Sequence, residues 1–405
     1  QRPNDADPIA VAAAWSVARL GSPRAKPLLA RLLGSEAPAL RALAALGLGM
    51  LHDTGSIPEL LRLLGAVDAG NLARAAAARA LGMLGAQQCL EAVSSLARAS
   101  DPKLRVASLY ALAELKAKDA APALAEALVD RDPTLREAAA AAATAWASGS
   151  FKLPADPLPA PRDAKLTVEQ VLEELRPVPG GEKERLAALE RLVPALARAG
   201  ENAARSSPDR ARTVLEALGL TPGARPFPAF SADFSSEALA RAEHAADELG
   251  RALVPSIATL ARLPTPGFRL LAVQFFARRS EPAAHDAIVA ALDDTERDVR
   301  REALRAAPTR DPNVAKAVAA RLASEDDWAL RVDAAEALGR APGSGYGTVE
   351  LVAAADPARD VNTRIAALRA LAAVNPSAAE PVLARAKTDS EPYVRSTAVE
   401  LLGAP

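Results

Sequence analysis

His52, His244 and His285 are the whole histidine complement of this 405-residue chain, and Cys89 is its one cysteine. General acid–base catalysis, nucleophilic attack and metal ligation draw on these residue types more than on most others. The densest cluster is EHAADE, residues 243–248, where Glu243 and Asp247, and separately His244 and Glu248, stand four apart and share a helix face. Zinc wants a third protein ligand from elsewhere, and charges at that spacing are the ordinary solvent face of a helix. No metal and no cofactor are therefore expected. A lone cysteine rules out an internal disulfide and a cysteine-based zinc site, and it reads as a buried structural thiol. Gly343, Gly345 and Gly347 in APGSGYGTVE precede a helix and could cradle phosphate, but they fall where a turn is required. Nucleophile elbows and P-loops are missing from the sequence. No catalytic residue is assigned, and the expectation is a non-enzyme.

Composition says what must hold such a chain together. It is 50% hydrophobic but only 3% aromatic, so alanine and leucine carry the apolar content and favour helix over strand. The chain is too long for one ordinary core and implies two or three domains, or one elongated array. Forty-nine basic against 50 acidic residues leave a formal charge of −1, which predicts no pull toward nucleic acid or anionic membrane. No apolar run approaches the ~18–20 residues of a spanning helix, so no direct membrane insertion is expected. The excess of arginine over lysine points to a GC-rich bacterial genome. The first residue, Gln1, follows either a removed signal peptide or a trimmed start, which leaves bacterial cytoplasm and an extracytoplasmic location both open.

The chain repeats itself. DTERDVRREALRAA (294–307) has a relative, DDWALRVDAAEALG (326–339), 31 residues on. With Val299 as position zero, the equivalents are Ala10, Leu40, Ala73, Leu104, Leu135, Phe268, Leu330, Thr363 and Val394. Most neighbours lie 30–33 residues apart, with one large gap after Leu135. Arginine follows in nine of ten cases, Val11 being the exception, and four residues past zero the side chain is always alanine or serine. An acid commonly stands three residues before zero: Asp7, Asp101, Asp132, Glu296, Asp327, Asp360 and Glu391. Positions zero, +4 and +8 share one stripe of a helix, which buries that stripe. The small residue at its middle lets a neighbouring helix approach, and the acid caps the helix start. Two helices per unit at this period make an all-α solenoid.

The pattern D-x-x-V-R-x-x-A-x-x-x-L after a short amphipathic helix resembles HEAT repeats, particularly the short-period type also found in phycobilin lyase subunits. The resemblance covers an N-terminal array, 1–149, and a C-terminal array, 265–405. It implies that the Val-Arg helices line a concave side and that acid and arginine form a ladder between repeats. Carried over, Asp101, Asp132, Asp327 and Asp360 would pair with arginines of neighbouring repeats. Iron-binding HEAT hydroxylases carry repeated His–Glu pairs, which this chain lacks. Between the arrays lie a Pro-rich connector, 150–166, and a non-repeat helical segment, 167–264. That segment holds Phe227, Phe230 and Phe234, which either plug the inner surface of the solenoid or form an exposed docking loop.

These readings converge on a non-catalytic scaffold or assembly subunit that binds another protein through its solenoid surfaces. The alternative from a second class is a lyase- or chaperone-like subunit handling a pigment or prosthetic group. In the C-terminal array Arg301, Arg305, Asp333 and Glu336 make a wet, charged helix face, with Trp328 and Tyr393 as aromatic anchors beside it. In the N-terminal array the repeat helices are apolar nearly all round, and Leu43, Leu46 and Tyr110 are expected to line a groove filled by a partner or by the chain's own middle segment.

Overall fold

The computed structural model describes residues 8–118, 120–148 and 181–403, and within them every regular element is helical. The first helices are α1 (Pro8–Arg19), α2 (Lys26–Leu32), α3 (Pro38–Met50), α4 (Ile57–Gly65), α5 (Asn71–Met83), α6 (Leu90–Leu96), α7 (Pro102–Glu114), α8 (Ala120–Leu128) and α9 (Pro133–Ser148). Position zero always falls on an odd-numbered helix. These helices stack in order, α1 on α3, α3 on α5, α5 on α7 and α7 on α9, while α2, α4, α6 and α8 each pack beside the helix that follows. Next come α10 (Glu182–Ala204), α11 (Pro208–Leu218), the single turn α12 (Pro228–Ser231) and α13 (Ser236–Leu260), which lack the repeat columns. The pattern then returns in α14 (Pro266–Phe276), α15 (Pro282–Ala291), α16 (Arg297–Ala306), α17 (Pro312–Ser324), α18 (Trp328–Gly339), α19 (Thr348–Ala354), α20 (Val361–Val374), α21 (Pro376–Ala386) and α22 (Pro392–Leu401). Here the even-numbered helices bear position zero and stack in sequence from α14 to α22. The result is an α-solenoid.

The chain divides into two compact units, one of residues 1–203, 216–219 and 225–249, the other of residues 204–215, 220–224 and 250–405. The expected Pro-rich connector, 150–166, lies outside the described residues, as does the start of the non-repeat segment. Among the described residues no helix is long and apolar enough to cross a membrane.

The small column does what its size requires. Ala14, Ala44, Ala77, Ser108, Ala139, Ala272, Ala303, Ala334, Ala367 and Ala398 are all buried, each on a helix that packs against a neighbouring repeat. Leucine in place of Ala334, which is fully buried, overpacks that contact and lowers stability by about 1–3 kcal/mol. A urea denaturation curve identical to wild type would remove this column from the interface between repeats.

The arginine column forms the expected ladder, but mostly to a different acid. Arg105 pairs with Asp130 at 2.8 Å, Arg269 with Asp294 at 2.7 Å and Arg300 with Glu325 at 3.1 Å, and Arg364 pairs with Asp389. Each of these acids stands five residues before the next position zero, not three. It also accepts the backbone N–H two residues on, from Asp132, Glu296, Asp327 or Glu391. The same guanidinium closes the loop behind it: Nη1 of Arg269 donates to the carbonyls of Leu263 and Pro264, and Nη1 of Arg331 to those of Glu325 and Asp326.

The acid at −3 is chiefly a helix cap. Asp101 accepts the N–H groups of Lys103 and Leu104, and Asp327 those of Ala329 and Leu330. Of the four expected to join the ladder, Asp360 meets the column arginine Arg331 at 2.9 Å and Asp327 meets Arg297 at 2.6 Å. Asp101 takes the Asn71 amide instead, and Asp132 caps Thr134. Each of these four acids at −3 serves its own helix start, and Asp327 and Asp360 also pair with an arginine of the previous repeat, while an acid at −5 faces that repeat directly. Burial alone would push the carboxyls of Asp294 and Glu325 up. The arginines beside them and the amides they accept outweigh it and hold both below the usual carboxylate range. Their contribution to stability is therefore present above that range and is lost as pH falls below it through the lowered folded-state values.

Candidate interaction surface

Helices α18 and α20 run side by side as neighbouring position-zero helices. Their facing stripes are Trp328, Val332, Glu336, Gly339 and Arg340 on α18, continuing just past its end, and Asn362, Ile365, Ala366, Arg369, Ala370 and Ala373 on α20. Between them lies an open groove of about 570 Å³. Its depth comes from small residues: a Cβ added to Gly339 would sit only 3.3 Å from Ala370 Cα, so glycine sets how closely the two helices cross. Trp328 stands at one end with 51% of its surface exposed, whereas Trp15 and Trp146 are buried. Asp327 caps the first turn of α18 and thereby fixes the backbone from which the indole projects.

The expected residues come together unevenly. Trp328 and Glu336 line the groove. Asp333 lies beside it on α18, held by Arg301 at 3.0 Å and Arg305 at 3.7 Å, so those three form one ion-paired strip across α16 and α18. Tyr393 is 73% exposed on the first turn of α22 but is not a lining residue. Arg369 is one of the charges that the sequence places on the wet face of the C-terminal repeat helices, and Ile365 and Ala373, four residues to either side of it on a position-zero helix, fall on the same stripe.

Leu43, Leu46 and Tyr110 require a correction. They are 1%, 1% and 2% exposed, so they are core residues and offer a partner no accessible groove. The space between α5 and α7 is occupied by the protein's own side chains. Arg79 pairs with Glu114 at 2.8 Å and its guanidinium lies 5.1 Å over the Tyr110 ring. A Cβ on Gly82 would come 2.3 Å from a Glu114 carboxylate oxygen and 2.8 Å from Ala111 Cα, so only glycine admits this arrangement. Burial pushes the Glu114 carboxyl above its usual value, and Arg79 opposes the shift only in part.

Phe227, Phe230 and Phe234 are buried too. Their segment is drawn in by Arg185, which donates from Nη1 to the Phe230 carbonyl at 3.0 Å and to Asp233 at 2.6 Å while lying 5.0 Å over the Phe234 ring. The turn α12 packs on α9. Of the two readings of this loop, the docking element does not fit and the apolar plug does.

The remaining chemical candidates have structural partners. His244 lies 3.6 Å from Glu248 on an exposed helix face, and His285 meets Asp311 at 2.8 Å. Among the described residues no three His, Cys, Asp or Glu side chains could hold one metal ion. Gly343, Gly345 and Gly347 all have φ of +71°, and the N–H groups of Gly343 and Gly345 donate to the carbonyls of Ala373 and Val374. Those amides tie a loop to the end of α20 and are not free for a phosphate.

Residues 3–76 and 68–144 match the family model for HEAT repeats. No curated protein matches the sequence. Similar solved structures include an engineered protein, at 18% identity with 93% of this chain and 98% of that one covered and a TM-score of 0.37. Importin beta is similar at 14% identity over 97% of this chain, with a TM-score of 0.38, and the chain spans 53% of its length. The CpcE–CpcF complex of phycocyanin lyase from Nostoc is similar at 17% identity, covering 85% of this chain and 93% of that one, with a TM-score of 0.25. Residues 3–144 thus match HEAT repeats, the family that the repeat columns resemble.

Proposed function

We propose that this chain is a non-catalytic protein-binding scaffold whose partner seats on the face formed by α16, α18 and α20. The observation that carries the reading is Trp328, a half-exposed tryptophan beside a groove with an apolar floor and a charged rim. Large aromatic and arginine anchors supply most of the energy of protein interfaces, and an apolar surface with charged edges suits that use. The same columns between α5 and α7 are filled by Arg79, Tyr110 and Glu114, which favours binding by the C-terminal array, 265–405, and a supporting role for the N-terminal one, 1–149.

The test is retention of a protein co-purified from the native host by the tagged full chain. Trp328→Ala is expected to keep its helical circular dichroism and to weaken binding by about 2 kcal/mol or more, with a smaller loss for Arg305→Ala. Unchanged retention by both variants would move the site off this face.

A further inference from the structure

One floor recurs between position-zero helices, first where Gly49 crosses Ala80 beside the Met83 sulfur, and its two later copies are finished in opposite ways. Gly82 crosses Ala111 and Gly339 crosses Ala370, in each case nine residues past zero on one helix and seven past zero on the next. Over Gly82 the floor is covered by the carboxylate of Glu114, ten past zero, paired with Arg79. Over Gly339 the residue in the Glu114 column is Ala373, too short to cover anything. The Tyr110 column is held by Arg369 and the Arg79 column by Glu336, with Arg340 one turn further on.

The charge of the lining follows from those exchanges. Arg340 and Arg369 against Glu336 leave the groove one positive charge. Asp333 does not change this, because Arg301 and Arg305 already engage it. The carboxylate nearest Arg369 is Glu400, 3.7 Å away with both side chains more than half exposed, a contact worth little and readily exchanged. At the other end Trp328, Val332 and Ile365 form the apolar part of the wall. From Trp328 to Gly339 is eleven helical steps, about 16 Å at ~1.5 Å each, which an extended chain covers in about five residues.

Taking the groove as the partner site, we infer that it binds an extended acidic segment of a protein. A large apolar side chain rests against Trp328, Val332 and Ile365, and about five residues away a carboxylate lies over Gly339, as Glu114 lies over Gly82, held by Arg369. Arg340, whose Nη2 donates to the carbonyls of Leu304 and Ala307, adds its positive charge to the lining.

Fluorescein-labelled Ser/Gly dodecapeptides test this, carrying a phenylalanine and a glutamate five positions apart, in both orders, titrated with the full chain by anisotropy at low salt. Companion peptides replace glutamate by lysine or phenylalanine by serine. The expected result is at least tenfold tighter binding of one glutamate peptide than of its lysine counterpart, reversal of that preference by Arg369→Glu, and loss of binding in Trp328→Ala. Equal or tighter binding of the lysine peptide, still abolished by Trp328→Ala, overturns the acidic assignment while the groove itself stands. Binding indifferent to Trp328→Ala, or no binding by any peptide, overturns both.

Discussion

Arg79→Ala lowers the stability of the N-terminal repeats by about 3–5 kcal/mol at neutral pH, one of the two largest effects expected of any single change in this protein. The side chains of Arg79 and Glu114 are 6% and 5% exposed, and removing the cation leaves a carboxylate buried without its ion-pair partner. Double replacement by Met at 79 and Leu at 114 restores most of the loss, since apolar residues of similar volume dispense with the desolvation of both charges. The pH dependence has a definite sign. Burial already raises the Glu114 carboxyl above its usual value, and loss of Arg79 raises it further. Between the ordinary carboxylate value and the raised one the folded state binds more protons than the unfolded state, so the variant gains stability as pH falls through that window. The gap to wild type therefore narrows from pH 7 toward pH 5. A gap that stays constant would mean Glu114 does not titrate in the folded state.

Phe230→Ala is the second. The side chain is 1% exposed within the same compact unit, and truncating a buried phenylalanine costs about 3–5 kcal/mol. An exposed docking loop would lose no more than about 0.5 kcal/mol. The chain has two compact units and need not unfold in one step, so a global midpoint would mix them. A Trp328→Phe background solves this, because Trp15 and Trp146 then report on the first unit alone. An unshifted tryptophan transition in urea would return the Phe227–Phe230–Phe234 segment to the surface.

What the sequence made legible was whatever a single column determines. An alanine or serine at +4 in every repeat has one use on a helix with a leucine-rich stripe, and all ten are buried there. Arginine after position zero likewise read as architecture, and each ladder arginine is engaged by backbone carbonyls or carboxylates of the repeat stack. The acid that completes the ladder was harder to see. Asp130, Asp294, Glu325 and Asp389 stand two residues before a second acidic position, and the helix cap that explains the latter masks the role of the former. Leu43, Leu46 and Tyr110 misled for a different reason. A face of alanine and leucine has the same composition whether it is covered or open, and nothing local says what lies against it. The signal that could have helped was Arg79 with Glu114: two opposite charges on stretches, 75–83 and 106–114, that carry no other charge, both in columns on the groove side. Trp328 was legible because the polar run SEDDWAL reads as a wet turn, and the indole is half exposed although Glu325 of that run is buried against Arg300 and Arg321.

Hydroxyl-radical footprinting of the free chain and of the complex with its co-purified partner tests the central claim most directly, since it reads side chains one by one. The account predicts strong oxidation of Trp328 and Ile365 in the free chain and protection of both in the complex. It predicts little labelling of Leu43, Leu46 and Tyr110 in either state. A Trp328 equally oxidised with and without partner, alongside protection appearing at residues 40–50 or 104–114, would contradict it.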